Sequence, residues 1–197
     1  MVSEKPCDAV WMTNNDFDYA SAVYDETFGR EQKKLGIHQR EIRFCKPEFF
    51  CVADTLHSAD GNPHDYELLF HLDTTKVKKL SAYPNGVMSD FGKEYEIAII
   101  PLEDAENVSL HTVSAVEEPF PQGWYNGRNE STQHAAITVS RKVLDVKDFR
   151  FFTLLIPVKK GTSLPVVTKR HDGSVTVVVN EKEYHFHMEN LDQVERI

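Results

Sequence analysis

The sequence is poor in the features that mark several large classes of protein. It has only three cysteines, Cys7, Cys45 and Cys51, and no Cys-x-x-Cys pair, so neither a disulfide framework nor a structural zinc site is expected. Cys45 and Cys51 lie in apolar surroundings and are predicted to be small core residues. No apolar run is long enough to cross a bilayer, and the first residues lack the apolar stretch of a secretory signal.

Positive charge is also scarce, with 22 Lys and Arg against 31 Asp and Glu and a net charge of −9. Such a domain repels polyanions, so no nucleic-acid partner is expected, and the lack of apolar runs argues against a membrane. The candidate basic patch, Lys76, Lys78 and Lys79, is predicted to be a solvated strand edge or loop. Because the motifs of nucleotide-binding loops, serine hydrolases and zinc proteases are absent, those functions have no support.

Helical periodicity is weak throughout, whereas short strand-like segments recur between turns rich in Gly, Pro and Asn. This pattern predicts an all-β fold, an antiparallel, supersandwich-like β-sandwich with few or no helices. The predicted division is a lead-in segment over 1–35, a β-sandwich domain over 36–190 and a tail over 191–197. Because Trp11 and Phe17 precede any clear element, the chain is predicted to be a piece of a longer protein.

A two-strand pattern centred on Pro47 is the most informative stretch. Proline cannot donate a hydrogen bond to a strand ladder, so pairing is expected to break there. Before it, Ile42 and Phe44 alternate with Arg43, which predicts one apolar and one charged face. After it, residues 49–53 are apolar throughout, which predicts a strand covered on both faces.

Six short motifs follow one another between about Tyr24 and Pro157. They are His38-x-Arg40 leading into Ile42-Arg43-Phe44-x-Lys46-Pro47, then Val52-Ala53-Asp54, His64-x-Tyr66, Phe70-His71-Leu72, Gly123-Trp124-Tyr125 and Phe152-Thr153-Leu154-Leu155-Ile156-Pro157. In this order and spacing they resemble the C-terminal β-sandwich region of the heparinase II/III-like polysaccharide lyases. That family includes heparin and heparan sulfate lyases and oligo-alginate lyases.

The resemblance implies one module of a bacterial lyase in which an α/α toroid packs on the sandwich and a uronic-acid polysaccharide lies between them. It implies β-elimination: a base removes the C5 proton, the carboxylate charge is neutralised and the 4-O leaving group is protonated. A tyrosine usually serves as base or acid, assisted by histidine, asparagine or arginine. It also implies a periplasmic or extracellular location for the parent protein.

The sequence departs from the family in lacking the toroid and the Asp-Pro-Gly stretch with its nearby His-Asn. Some family members hold zinc through that segment, so no cofactor and no metal ligand is expected in this chain. The isolated chain is expected to be inactive, because most of the acid–base groups would lie elsewhere.

Two groups of residues are candidates for the site. Tyr24 is a candidate catalytic phenol, with a structural role as an anchored, partly buried tyrosine as the alternative. The predicted substrate-binding residues lie on the longest irregular segment, 117–133, where aromatic rings could stack on sugars and polar groups could bind hydroxyls or carboxylates. They are Trp124, Tyr125, Asn126 and Arg128. The alternative for this loop is a plug that closes one end of the sandwich.

The histidines are interpreted as structural. His38, His64 and His71 match family positions, yet strand histidines usually make hydrogen bonds that hold a turn or strand end. His185 and His187 share one strand face, and two imidazoles alone make a poor metal site.

Three functions therefore stay open: a lyase module, a free-standing carbohydrate-binding sandwich that uses Trp124 and Tyr125, and a purely structural or protein-interaction sandwich. The net charge of −9 argues against a highly sulfated substrate, although a toroid could supply positive charge.

Overall fold

The structure, a computed structural model, describes residues 7–26, 33–126 and 133–196. Within these ranges the chain forms antiparallel strands and a single 3₁₀ turn at Ala105–Asn107, which confirms the predicted all-β sandwich. The strands are β1 (Cys7–Thr13), β2 (Phe17–Tyr24), β3 (Gly36–Cys45), β4 (Phe49–Ser58), β5 (His64–Leu72), β6 (Val77–Lys79), β7 (Val87–Ser89), β8 (Tyr95–Pro101), β9 (Ser109–Val113), β10 (Trp124–Tyr125), β11 (His134–Ala135), β12 (Ile137–Val146), β13 (Asp148–Lys159), β14 (Val166–Lys169), β15 (Ser174–Val179), β16 (Lys182–His187) and β17 (Asn190–Arg196).

A central sheet of eight strands organises the fold, in the order β1-β2-β3-β4-β13-β8-β7-β6. A three-stranded sheet, β5-β12-β9, packs on one face, and a four-stranded sheet, β14-β15-β16-β17, packs on the other. The short β10-β11 pair completes the described strands. The central sheet therefore has a core on each side.

Strand β13 shows why its sequence is almost continuously apolar. Phe152, Leu154 and Ile156 point into the core shared with the four-stranded sheet. The alternate residues Phe151 and Leu155 point into the cores shared with the three-stranded sheet. A strand covered on both faces needs apolar side chains at every position rather than at every second one.

The four-stranded sheet is a meander of consecutive hairpins whose apolar face packs on the central sheet. The Phe186 ring stacks on Phe152 at a centroid distance of 5.9 Å. Its first hairpin turn, at 170–173, has Gly173 at φ 83°. The second turn has Asn180 and Glu181 at φ 48° and 63°, values typical of a tight hairpin turn.

A buried ion pair ties the three-stranded sheet to the central sheet. The fully buried Arg141 guanidinium on β12 donates to the Glu103 carboxylate and to the Thr153 hydroxyl on β13. Glu103 also accepts the backbone N–H of Phe152 at 3.0 Å. Burial lowers the pKa of Arg141, and the charge of Glu103 opposes that effect, so the pair is held by mutual neutralisation.

The two faces of β3 are the reverse of the prediction. Arg43, expected on an exposed charged face, is only 2% exposed. Its guanidinium lies 3.7 Å from the centroid of the Phe17 ring and donates to the Leu191 carbonyl at 2.7 Å. Ile42 and Phe44, expected in the core, are only partly buried. The prediction was wrong because β17 supplies a carbonyl partner that the local pattern could not reveal.

The prediction that residues 49–53 are covered on both faces is wrong at Phe50, which is 37% exposed. The clusters that the three-stranded sheet buries include residues of β4, β13, β8, β7 and β6, but none of β1, β2 or β3. The covering sheet therefore ends above β4 and leaves Phe50 at the rim.

Both predicted flanking segments contain strands. The described part of the 1–35 lead-in holds β1 and β2, which belong to the central sheet. The 191–197 tail falls largely in β17, where Leu191 is fully buried. These strands were missed because their partners, β3 and β16, fix them through pairing rather than through any local apolar run.

Both edges of the central sheet are irregular or short. Strand β1 has a bulge between Cys7 and Val10, with Asp8 at φ 49°. Strand β6 at the other edge has three residues and exposes Lys78 and Lys79, so the predicted basic strand edge is confirmed. No helix in the described ranges is both long and apolar enough to span a bilayer.

Candidate functional site

The segment predicted to be a long irregular loop is folded back on itself in its described part. Val116 and Gln122 form an antiparallel bridge, with N···O distances of 3.0 and 2.9 Å. Beyond it, Trp124 pairs with Ala135 and Tyr125 pairs with His134. The loop therefore presents its side chains from paired backbone.

We call the described part of segment 117–133 the Trp124 loop. Gly123 anchors this loop to the three-stranded sheet. Its N–H donates to the Thr138 hydroxyl at 3.1 Å, and its carbonyl accepts the N–H groups of Ala115 at 3.0 Å and Ala136 at 2.8 Å. Its φ is +73°, and a Cβ here would lie 2.5 Å from the Cα of Ser114. Only glycine fits this close approach of two backbones.

Trp124 and Tyr125 have different roles. The partly buried Trp124 indole donates to the Val116 carbonyl at 3.2 Å and so braces the loop. Tyr125 is 39% exposed, with its ring centroid 5.1 Å from that of His134. Asn126 is exposed beside it, and Arg128 lies outside the described residues. Tyr125 is thus an aromatic side chain that this loop offers to a ligand next to His134, and Phe120 in the same segment is exposed as well, at 61%.

The end of β5 brings two further side chains to the loop. Asp73 lies 3.1 Å from His134, between Oδ1 and Nε2. The Nδ1 atom of His71 lies 3.0 Å from the Thr138 hydroxyl. The same hydroxyl accepts the Gly123 N–H. His134 and Asp73 had no signal in the sequence, since only strand pairing brings them together.

The arrangement of Tyr125, Asn126, His134, Asp73 and His71 combines an exposed aromatic ring with amide, imidazole and carboxylate groups. Sugars present apolar C–H faces and hydroxyls that both donate and accept hydrogen bonds. The loop surface can therefore bind a sugar by stacking and hydrogen bonding.

A second group of motif residues meets on the open face of the central sheet, away from the Trp124 loop. Asp54 Oδ1 lies 2.6 Å from His38 Nε2 and accepts from Arg40 Nε at 2.6 Å. Burial raises the pKa of Asp54, but these hydrogen bonds outweigh it and leave the pKa below its ordinary value. Tyr24 lies opposite His38 on the neighbouring strand and is partly exposed.

The remaining motif histidine also makes the kind of hydrogen bond that a structural role requires. His64 Nε2 lies 2.8 Å from Asp60 Oδ1, which accepts the Asn62 N–H at 3.0 Å and holds the turn before β5. His185 on β16 lies 3.1 Å from Thr176 Oγ1. Within the described ranges, no group of three or more His, Cys, Asp or Glu side chains is placed to hold a metal ion.

Comparison with solved structures confirms the predicted resemblance at the level of fold. Heparan sulfate lyase HepC from Pedobacter heparinus matches 96% of this chain with a TM-score of 0.67 and 15% identity. A heparinase III gene product matches 95% with a TM-score of 0.66 and 15% identity. Another heparinase III matches 90% with a TM-score of 0.63 and 14% identity. This chain spans 27% of the length of each.

No protein-family model and no curated protein sequence matches this chain. At 14–15% identity the solved structures establish a shared fold and leave the activity to be argued from residues.

Proposed function

We propose that this chain is the β-sandwich module of a heparinase II/III-like polysaccharide lyase that acts by β-elimination on uronic-acid-containing polysaccharide. The observation that carries the proposal is the match of 96% of the chain to a heparan sulfate lyase. Three of the motif residues, His38 and Arg40 on β3 and Asp54 on the neighbouring strand β4, form one hydrogen-bonded cluster.

The module's role in this proposal is to support a second domain and to lend residues to a sugar cleft. Elimination needs a base, an acid and a group that neutralises the carboxylate, all converging on one sugar. An α/α toroid of the parent protein would supply most of them, and the isolated chain would be inactive. We place the parent in the bacterial periplasm or outside the cell, where polysaccharides are available.

The chain's own contribution to substrate binding is assigned to the Trp124 loop. Tyr125 would stack on a sugar ring, while Asn126 and the His134–Asp73 pair would bind hydroxyls. The zinc-binding segment of some family members has no counterpart in this sequence, and the proposal assigns no metal ligand to this chain.

Two assays test the proposal. The isolated chain and the intact polypeptide that contains it are each incubated with alginate and heparan sulfate, and the absorbance of the unsaturated uronide is followed. We expect product only from the intact polypeptide, and elimination that is abolished when this module is deleted. Robust cleavage by the isolated chain would contradict the modular role.

Binding by the loop is tested with Tyr125→Ala. Tyr95→Ala is the matched control, because Tyr95 is 52% exposed but belongs to β8 rather than to the loop. We expect Tyr125→Ala to bind uronic-acid oligosaccharides more weakly than the wild type, and Tyr95→Ala to bind them as the wild type does. Calorimetry measures both affinities. Equal affinity in the two variants would remove the loop from the substrate site.

The alternative is a free-standing carbohydrate-binding sandwich. It is favoured by the exposed Tyr125 ring on a paired, glycine-anchored loop. It predicts sugar binding by the isolated chain and no dependence of any elimination activity on this module.

A further inference from the structure

The uncovered part of the central sheet carries a trough along β2. The strand register places Trp11 of β1 opposite Ala20 of β2, and Ala20 opposite Ile42 of β3. The next row on the same face holds Ala22 and Arg40. Two of the smallest side chains therefore form a floor between larger ones.

The dimensions and exposure of this trough suit a linear ligand. Its walls stand on β1 and β3, two strand spacings apart, which is about 10 Å. Trp11, Ala20, Ala22, Arg40 and Ile42 all line one surface cavity there. Trp11 is 68% exposed, more than any other large apolar side chain among the described residues.

Arg40 gives the trough a fixed cation. Its Nε atom donates to Asp54, whose same oxygen lies 2.6 Å from His38 Nε2. Asp54 is only 1% exposed, so the carboxylate holds the exposed guanidinium from below. Within the described residues the two Nη groups of Arg40 have no hydrogen-bond partner, which leaves their four N–H donors for a ligand beside the trough.

We propose that this trough binds a uronic-acid unit of an oligosaccharide, with Trp11 stacking on the sugar ring and Arg40 holding the carboxylate. The ligand class rests on the proposed function. Guanidinium and carboxylate form paired, charge-assisted hydrogen bonds, and the indole ring offers a flat apolar face of the size of a pyranose. This site is separate from the Trp124 loop.

The charge of the trough favours a glycan acid over an apolar polypeptide cover. An apolar strand laid on this face would bury the Arg40 guanidinium and leave its donors unpaired, which is costly. Among the described residues, the other titratable or charged side chains on this face of β2, β3 and β4 near the trough are Asp18, which pairs with Lys46 at 2.7 Å, the partly exposed His38 and Tyr24, and the buried Asp54. Arg40 is therefore the cation available to an anionic ligand.

The experiment titrates the full chain with an unsulfated uronic-acid tetrasaccharide from alginate and, as a neutral probe, with cellotetraose. Calorimetry compares the wild type with Trp11→Ala, Arg40→Gln and Tyr125→Ala. We expect Trp11→Ala and Arg40→Gln each to weaken binding of the acidic probe by about tenfold or more. Arg40→Gln should leave any binding of the neutral probe unchanged.

Folding is checked by denaturation of each variant. Trp11→Ala does not touch the Asp54 cluster, so it keeps the test valid if Arg40→Gln is unstable. Wild-type affinity in Trp11→Ala overturns the trough as a site. Binding lost only in Tyr125→Ala also overturns it, yet leaves the proposed function standing with the loop as the site.

Two further outcomes would overturn the inference. A wild-type chain that binds neither probe has no sugar site in this trough, and the elimination assay on the intact polypeptide then decides the proposed function separately. Self-association that is lost in Trp11→Ala, measured by sedimentation, would show that a second copy of the chain fills the trough.

Discussion

The two halves of the central sheet differ in how they are covered by the smaller sheets. Strands β13, β8 and β7 form a closed half, covered by smaller sheets on both faces, whereas β1, β2 and β3 form an open half whose face toward the three-stranded sheet is uncovered. Under the sheet that covers the closed half, Arg141 is buried with a carboxylate; on the uncovered face of the open half, Arg40 lies at the surface. The polar groups of the central sheet that could contact a ligand therefore lie where the three-stranded sheet no longer covers it.

The largest contrast is expected between two phenylalanines on the central sheet. Phe152 is fully buried in the closed half, so Phe152→Ala should lower the free energy of unfolding by about 3–5 kcal/mol. Phe50→Ala, on the exposed rim, should cost less than about 1 kcal/mol. Urea denaturation measures both. Equal losses would mean that the open face is covered in solution.

The second contrast is between two arginines. Arg141→Met should cost about 3 kcal/mol, because it leaves Glu103 as an uncompensated buried charge. Arg40→Met should cost less than Arg141→Met, because Arg40 is exposed and the buried Asp54 carboxylate keeps its hydrogen bond to His38. The double variant Arg141→Met/Glu103→Gln should regain part of the loss. If it does not, the cost comes from packing rather than from the stranded charge.

The third contrast concerns glycines. Gly123→Ala should cost about 2 kcal/mol or more, because it adds a clash with Ser114 to the strain of a positive φ. Gly92→Ala, at φ +69° with no atom within 4 Å of the added Cβ, carries only the strain of about 1 kcal/mol. Thermal unfolding and the near-UV signal of the tryptophans would show whether the loop alone is disturbed.

The smallest effect is expected from pH at the boundary strand β4. The folded-state pKa of Asp54 is lowered, so its stabilisation is present above the ordinary aspartate pKa of about 3.9 and is lost as pH falls through the folded value. The wild type should therefore lose more stability than Asp54→Asn between about pH 4 and pH 2. Parallel pH profiles for the two chains would contradict a role for this carboxylate.

The sequence predicted the fold class and most strands, because alternation and turn residues are local signals. It could not predict which sheet face would be covered, since that depends on where the three-stranded sheet ends. Phe50 was misplaced for this reason, whereas Arg43 was misplaced because β17 of the four-stranded sheet supplies its carbonyl partner on the opposite face. Both sit on strands that were recognised, and each faces a surface decided by a distant part of the chain.

The candidate site was predicted in part. Trp124 and Tyr125 stood out as aromatics in an irregular segment, but nothing in the spacing separated the bracing indole from the exposed phenol. His134, Asp73 and Trp11 were missed as site residues, because pairing of β10 with β11 and of β1 with β2 brings them into place. The motifs of the resemblance contain His38, Arg40 and Asp54, but their meeting in one cluster was not predicted, because it depends on the pairing of β3 with β4.

The bulge in β1 and the three-residue, lysine-bearing β6 have a consequence for how the protein behaves at high concentration. A flat outermost strand would offer its free backbone groups to another molecule and seed stacking into fibres. The bulged strand β1 at one edge and the short, lysine-bearing strand β6 at the other both hinder such pairing. The domain can thus leave an aromatic face open to water without inviting its copies to polymerise edge to edge.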